Sequence, residues 1–510
     1  MIKRLAALIC LMVIGIGLCA CATPEAEAEV DFNNVEISGL DSVIVDRETD
    51  TLDLLKGVTA EYTFEDGSIK DVTDKIRVVL PAGCTVEGNN ATFNECGNFE
   101  IIYYLNDSKG NNTVAKRSVK VRNIYNCYFE SATLPVLYSA LDMATNNYKS
   151  ILTFTRTDTI NVDALGDRFI YVANGAGDRE LNEAKRLAVA IAKKDENSYF
   201  RLFITAEYNQ LEIFTFMQNE IPYNRYEVKL LSDGGYTYNS AFPYREDGSY
   251  DLWERNKDIY YGALDKAYKG EFNQQSNGMY NIEYNGNVIT SGYTDGPLDK
   301  MAIMAAQREN VEMWCGYPET LVSKDKRVQE EIEKAHMPKM APDEMYATLS
   351  DAQKAVFLKI VNFDKDDFDA RYFDKEGEYL IITGTNPFTG NLKDSEFAEI
   401  LKRIIKDYSG YNILYKPHPS ALTPDGNSPL TDAVLKKNNI KLLPGRLPME
   451  VISWVYSDVK LGGFDSSLFM AVPQGNTKFF IARNADALSQ LSKQLYTDGA
   501  FGSAEFYWTI

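Results

Sequence analysis

The chain has 510 residues, 45% hydrophobic and 25% charged, with 33 Gly and 17 Pro; these proportions exclude disorder, a collagen-like repeat and a multi-span membrane architecture. Such a length makes two or three domains whose cores need no disulfide or metal staple. Its 53 basic and 73 acidic side chains leave a formal charge of −20, which excludes long polyanions, nucleic acid among them, from the expected partners.

A local pocket of helix N-termini with Lys, His or Ser can still hold a small anion. Only two histidines are present, His336 and His418. A His-rich metal site is therefore excluded by count, and no metal is expected.

Residues 1–20 read as an export leader. Lys3 and Arg4 form a positive start, and Leu5 to Leu18 is a 14-residue apolar run, too short to span a bilayer comfortably. The run closes on Leu18-Cys19-Ala20-Cys21, the pattern of a bacterial lipobox. Cleavage before Cys21 would leave that cysteine lipidated, with 21–31 as a tether; a plain cleaved signal peptide is the simpler alternative. Loss of Lys3 and Arg4 takes the charge to −22. The expected location is the cell envelope or surface, with the membrane held through Cys21. Cys84 and Cys96 lie close together in one small domain, where a bridge is chemically possible and is left open. Cys127 and Cys315 read as buried thiols.

Residues 32–123 read as short strands between polar turns. Val35-Glu36-Ile37-Ser38, Val58 to Phe64, Ile76 to Leu80, Phe99 to Tyr104 and Ser118 to Arg122 alternate at least in part, and Glu65-Asp66-Gly67-Ser68 and Asn106 to Gly110 carry the turn chemistry. That pattern predicts a β-sandwich. Asp53 to Ala60 resembles bacterial immunoglobulin-like surface modules. No reactive cluster falls here, so a spacer or sugar-binding module is expected.

From residue 124 helices and strands alternate. Leu134, Leu137, Tyr138 and Leu141, then Leu181, Ala184, Leu187, Ala188 and Ile191, recur at helical spacing. Apolar runs follow at Arg168 to Val172, Arg201 to Ile204 and Val228 to Leu231. The stretch 245–300 is rich in Tyr, Asn and Gly, lacks a clear period and reads as an insertion; helical pattern resumes from Pro297 to about 361. A second series begins at Tyr379 to Thr383 and continues through a helix (Phe397, Ile400, Leu401, Ile404). Its further strands are Asn412 to Tyr415, Ile440 to Leu443, Val459 to Leu461 and Lys478 to Ile481. Two such blocks imply two doubly wound α/β lobes with a cleft between them, over 124–377 and 378–485. Segment 486–510 is expected to return to the first lobe. This is the GT-B arrangement of glycosyltransferases, which other two-lobed α/β proteins share.

Four segments sit near strand ends, where open α/β sheets bind ligands. Leu231-Ser232-Asp233-Gly234-Gly235 can present a carboxylate to a cleft, though an isolated Asp-Gly-Gly is ordinarily a simple turn. In Tyr415-Lys416-Pro417-His418-Pro419 two prolines frame a histidine rigidly. Leu461 to Phe469 offers Gly462-Gly463 after a buried strand and Ser466-Ser467 opening an expected helix. Hydroxyls with helix-start N–H groups suit a phosphate, and equally an ordinary Ser cap. Glu450, in Pro448 to Ile452, can accept two hydrogen bonds from a ribose diol, or equally serve as a capping or solvated glutamate.

In their order and spacing these segments resemble the bacterial sialyltransferases of glycosyltransferase family 80, the Pasteurella and Photobacterium type. The resemblance begins at Tyr128-Phe129-Glu130-Ser131-Ala132-Thr133-Leu134-Pro135-Val136-Leu137 and continues through Leu231 to Tyr236. It returns at Leu349-Ser350-Asp351-Ala352-Gln353 and Ile382 to Asn391, then ends in Tyr415 to Pro419, Met449 to Val451 and Gly462 to Leu468. It covers about 124–485 in patches. An export signal and an immunoglobulin-like module also occur in marine members of the family.

The resemblance implies an inverting, metal-independent transfer of sialic acid from CMP-sialic acid to a glycan acceptor, galactoside in type. Asp233 would be the base for the acceptor hydroxyl, and His418 would protonate or neutralise the departing phosphate. Ser466 and Ser467 would hold that phosphate and Glu450 the ribose. Lys416, Gly384, Thr385 and Pro419 complete the donor side, the first three at the cytosine end. Arg156, Glu207 and Phe388 would face the acceptor. Serine donors where charge collects replace the metal used by many nucleotide-sugar enzymes. The chain departs from the family at Ser232 and Gly235, where Asp and Ser are usual, at Phe388, where a Trp stacks on acceptor, and at Glu207, which replaces a histidine. Donor-side residues are kept and acceptor-side residues vary. Transfer of another CMP-activated sugar acid such as Kdo, or a silent glycan-binding surface protein, are the alternatives.

Overall fold

The structure is a computed structural model that describes residues 30–47, 50–107, 109–130, 132–154, 159–171, 178–206, 220–274, 280–290, 302–385, 392–418 and 429–508. The chain forms two compact units, one of residues up to Tyr125 together with Ile191–Tyr199, the other of Asn126–Ala190 and Phe200–Ile510.

The first unit is built from strands. Val35–Ser38, Thr59–Thr63 and Ile69–Asp71 form one antiparallel sheet, and Leu52–Asp53, Asn90–Phe93 and Cys84–Glu87 another. Gly97–Asn106 pairs antiparallel with Arg77–Val79 and with Asn112–Glu130, on which Val43–Asp46 lies parallel. Gly97–Asn106 buries alternate residues, as a strand with one face inward must. Ile101, Tyr103, Val119 and Val121 meet Ala91 and Phe93 of another sheet in one core. Cys84 and Cys96 are unbridged and half-buried. The strand Asn112–Glu130 runs through the boundary expected at 123 without a break.

The second unit contains both lobes. The first lobe's sheet has the order Phe169–Tyr171, Lys149–Phe154, Asn112–Glu130, Ser198–Thr205, Tyr226–Leu231, Val311–Trp314. In the second lobe the order is Lys441–Leu442, Asn412–Lys416, Tyr379–Thr383, Lys460–Gly463, Thr477–Phe480, Glu505–Phe506, with every pair parallel. Counted along the chain, each sheet is ordered 3-2-1-4-5-6, the doubly wound order in which ligands bind beyond the carboxyl ends where the winding reverses. Tyr379–Thr383 is buried at all five positions, as a central parallel strand covered on both faces must be.

Two expected boundaries change. A helix, Tyr250–Tyr268, occupies the stretch read as lacking a period, and the strand Val311–Trp314 interrupts the stretch read as helical. The end of the chain serves both lobes. Helix Gln490–Thr497 packs against helix Gly235–Ala241, while Glu505–Phe506 closes the edge of the second sheet.

Candidate active site

Two of the segments that carry the resemblance are structural devices. The Tyr128 hydroxyl donates to Asp142 Oδ2 at 2.7 Å, and Asn126 Nδ2 donates to both at 2.7 and 3.1 Å. Ser350 and Gln353 form a reciprocal cap on helix Asp351–Ile360, which satisfies two backbone donors that a helix start leaves open.

The described parts of the remaining segments lie at the carboxyl ends of strands, except Met449–Val451, which opens a helix. Asp233, half-buried, follows Tyr226–Leu231, and its backbone N–H donates to Thr237 Oγ1 at 3.0 Å. Gly234 then takes φ 61°, ψ −134°, a conformation open in practice to glycine alone. The other lobe adds a second bar: a Cβ here would stand 2.4 Å from the Ser467 Cβ. The Asp-Gly-Gly turn thus lies directly against the Ser-Ser turn. Gly235 is different, because a Cβ on it would meet only the flexible Met470 Cε at 3.2 Å. Gly234→Ala is accordingly expected to destabilise the fold by about 1–3 kcal/mol from backbone strain alone, with the Ser467 clash added. Gly235→Ala should stay within about 0.5 kcal/mol. Urea midpoints of the two variants check the contrast, and equal midpoints would remove Gly234 as the point where the turns meet.

Across from Asp233 stand the second-lobe segments, at the reversal point between Tyr379–Thr383 and Lys460–Gly463. Thr383 and Gly463 approach so closely that a Cβ on the glycine would lie 1.9 Å from Thr383 Oγ1. Gly384 and Thr385, half-buried, continue the first strand, and Gly384 N–H donates to Lys416 O at 2.9 Å. Ser466 and Ser467 follow the second strand and are exposed. The helix expected after them is a single 3-10 turn, Ser467–Met470, and Ser466 does not cap it through its side chain. The Ser466 hydroxyl is therefore not committed to a cap. Sequence reasoning missed Asp465, whose carboxylate accepts from Ser489 N–H at 2.5 Å and Ser492 Oγ at 2.6 Å and so anchors the serine turn.

His418 is half-buried, two residues beyond Asn412–Lys416. Lys416 is only 4% exposed, and its Nζ donates to Gly445 O at 2.7 Å and Pro417 O at 3.1 Å. Burial pushes the amine down to about 8 against the pull of Glu450. Glu450, second residue of helix Met449–Val455, keeps some exposed surface, yet it is enclosed enough that burial raises its carboxyl. Its own backbone N–H and Lys416 oppose that rise, and the Asp233 charge adds to it. Asp233 and Glu450 thus feel each other from opposite lobes. That helix also reaches the first lobe through Trp454, which packs on Tyr346 at 6.2 Å and Phe357 at 6.0 Å between ring centres.

Cys21, Arg156, Glu207, Phe388 and Pro419 lie outside the described residues. Among the described residues, no three of His, Cys, Asp and Glu come together as a metal site, and no helix is long and apolar enough to cross a membrane.

No protein-family model matches the chain, and no curated protein matches it. Solved structures do. A 2,6-sialyltransferase of Photobacterium sp. JT-ISH-224 is similar with TM-score 0.55 at 16% identity, over 92% of this chain and 95% of that one. A Photobacterium damsela sialyltransferase is similar with TM-score 0.57 at 14% identity, over 91% and 99%. The GT-B domain of a Photobacterium damselae sialyltransferase gives 0.52 at 15% identity, over 75% and 99%. At such identities the likeness establishes the fold, and the two lobes are a GT-B pair.

Proposed function

We propose that this protein is an inverting glycosyltransferase that moves sialic acid from CMP-sialic acid to a hydroxyl of a glycan acceptor. The observation that carries the reading is the meeting of Asp233-Gly234 with Ser466-Ser467 across the two lobes, a carboxylate on one side and serine hydroxyls on the other. The Photobacterium sp. JT-ISH-224 enzyme, whose fold this chain shares, was solved with the donor product CMP and the acceptor substrate lactose, which supports a nucleotide on the donor lobe and a sugar facing Asp233.

In this reading the acceptor oxygen attacks the anomeric carbon of the sialic acid, and the bond from that carbon to the CMP phosphate oxygen breaks. The proton of the attacking hydroxyl passes to the Asp233 carboxylate, while His418 protonates or neutralises the departing phosphate. Ser466 and Ser467 donate to the phosphate oxygens where negative charge collects, an electrostatic contribution that is large in a cleft shielded from water. Glu450 accepts from the ribose hydroxyls, and Gly384 and Thr385 line the base end. Lipid attachment at Cys21 belongs to the same proposal, and metabolic labelling with a fatty acid, compared with Cys21→Ala, tests it.

A donor screen with CMP-sialic acid and CMP-Kdo, scoring transfer and hydrolysis separately, tests the function. Transfer from CMP-sialic acid is expected. Transfer from CMP-Kdo alone would reassign the donor, and failure to bind CMP would leave a surface lectin. Exhaustive EDTA treatment is expected to leave the rate within about twofold, because hydroxyl and imidazole donors supply the phosphate's neutralisation. Restoration of a chelated, inactive sample by Mn²⁺ or Mg²⁺ would overturn the role given to Ser466 and Ser467.

A further inference from the structure

Lys416 ends the strand Asn412–Lys416 beside the donor site, but its amine is turned into the protein. Two of the three hydrogens of an ammonium are taken by the carbonyls of Gly445 at 2.7 Å and Pro417 at 3.1 Å. Gly445 belongs to the short turn Pro444–Pro448, which also rests on Pro417: a Cβ on Gly445 would lie 3.6 Å from Pro417 Cγ. Leu447 N–H closes the turn on Pro444 O at 3.3 Å. The turn ends in Pro448, the N-cap of Met449–Val455, and Glu450 is the second residue of that helix. The same amine therefore holds the turn that leads into the helix carrying Glu450.

We propose that Lys416 is a positioning residue, which clamps the Gly445 turn to the end of its strand and so aims Glu450 at the ribose hydroxyls of the donor, and that it does not read the base. The inference rests on the CMP-donor reading above. Electrostatics agree with the geometry, since Lys416 and Glu450 each hold the other toward its charged form against burial. A lysine that read cytosine would need its donors facing the ligand, whereas two of them are spent inside the protein.

Titrating the full chain with CMP, UMP and 2′,3′-dideoxy-CMP tests this. The parental protein is expected to bind CMP about tenfold or more tighter than the dideoxy nucleotide, the scale of hydrogen bonds to a charged group. Lys416→Met should remove that preference by weakening CMP about tenfold while moving the dideoxy nucleotide less than about twofold. The ratio of CMP to UMP affinity should stay at its parental value. Collapse of the CMP/UMP ratio with the ribose preference intact would show that the amine reads the base. Equal weakening of all three nucleotides would show a general structural role; either result overturns the proposal. Should the methionine variant fail to fold, Lys416→Arg, which keeps charge and donors, is measured with the same ligands. It should leave the CMP/UMP ratio unchanged and lower the ribose preference, and a shifted base ratio would again overturn the inference. A parental protein that binds none of the three nucleotides overturns the donor reading itself, an outcome separate from the others.

Discussion

Replacing Asp233 with alanine is expected to lower kcat for sialyl transfer by about 10²–10⁴, the usual worth of general base assistance, while CMP affinity changes less than about threefold. The split follows from where the residue sits. Asp233 follows a strand of the first lobe, and its neighbours across the cleft are Glu450 and the serine turn, which it meets without belonging to them. Its carboxylate can take a proton from an acceptor hydroxyl, so its loss falls on the chemical step. A residue that only shaped the turn would behave differently, because the turn geometry is carried by Gly234 and by the Asp233 N–H to Thr237 bond, which alanine retains. Asp233→Asn sharpens the test, since it keeps size and polarity but removes the base; it should be as slow as Asp233→Ala. Either variant turning over at the parental rate would exclude the mechanism.

His418→Ala should lose both rate and nucleotide. The ring follows a parallel strand of the second lobe, framed by Pro417 and set beside the edge where Gly384, Thr385 and the serine turn lie. An imidazole placed on the leaving phosphate helps where charge develops, so kcat should fall by about 10²–10⁴. In the proposed mechanism the ring also touches the ground-state phosphate, so CMP should bind about 10–100-fold more weakly, the worth of one hydrogen bond to a charged group. Cytidine, which lacks the phosphate, should bind the variant and the parent alike. Loss of cytidine binding in step with CMP, together with a lowered melting temperature, would make His418 a packing residue.

The second lobe was the more legible in sequence, and the cause is physical. Central parallel strands are covered on both faces and appear as unbroken apolar runs, as Tyr379 to Thr383 does. Val311–Trp314 has a charge in its middle, Glu312, which pairs with Lys229 at 2.7 Å across the neighbouring strand, so no run was visible. Helix Tyr250–Tyr268 buries Trp253, Asn256, Ile259, Tyr260, Ala263, Leu264 and Ala267. The spacing is helical, but aromatic rings and an asparagine bonded to the Tyr244 hydroxyl at 2.7 Å replace the aliphatic stripe that marks a helix. The boundary expected at 123 falls within a strand because strand pattern does not change where a chain passes between units. At the site, residue types and order pointed to Asp233, Glu450 and the serines as candidates, and the structure then supplied their neighbours. Burial was not legible: Lys416 shows a charge in sequence, and only the fold reveals that its amine faces inward. Nor could sequence show that Ser467 adds a steric bar at Gly234 to the one its backbone already sets, since that contact joins residues more than two hundred positions apart.

The repeated 3-2-1-4-5-6 order has a practical corollary for anyone wishing to re-engineer this protein. Each sheet presents its own complete carboxyl edge, so libraries at 383–385, 416–418 and 465–467 and libraries on the first lobe can be built and screened apart, then recombined. Effects at well-separated positions on different sheets should add, as distant sites generally do. The exceptions are the seam where Gly234 meets Ser467 and the charges of Asp233 and Glu450, which act on each other across the lobes. Substitutions at the seam share one contact, so a gain found on either edge alone will not survive recombination unless both positions are varied together.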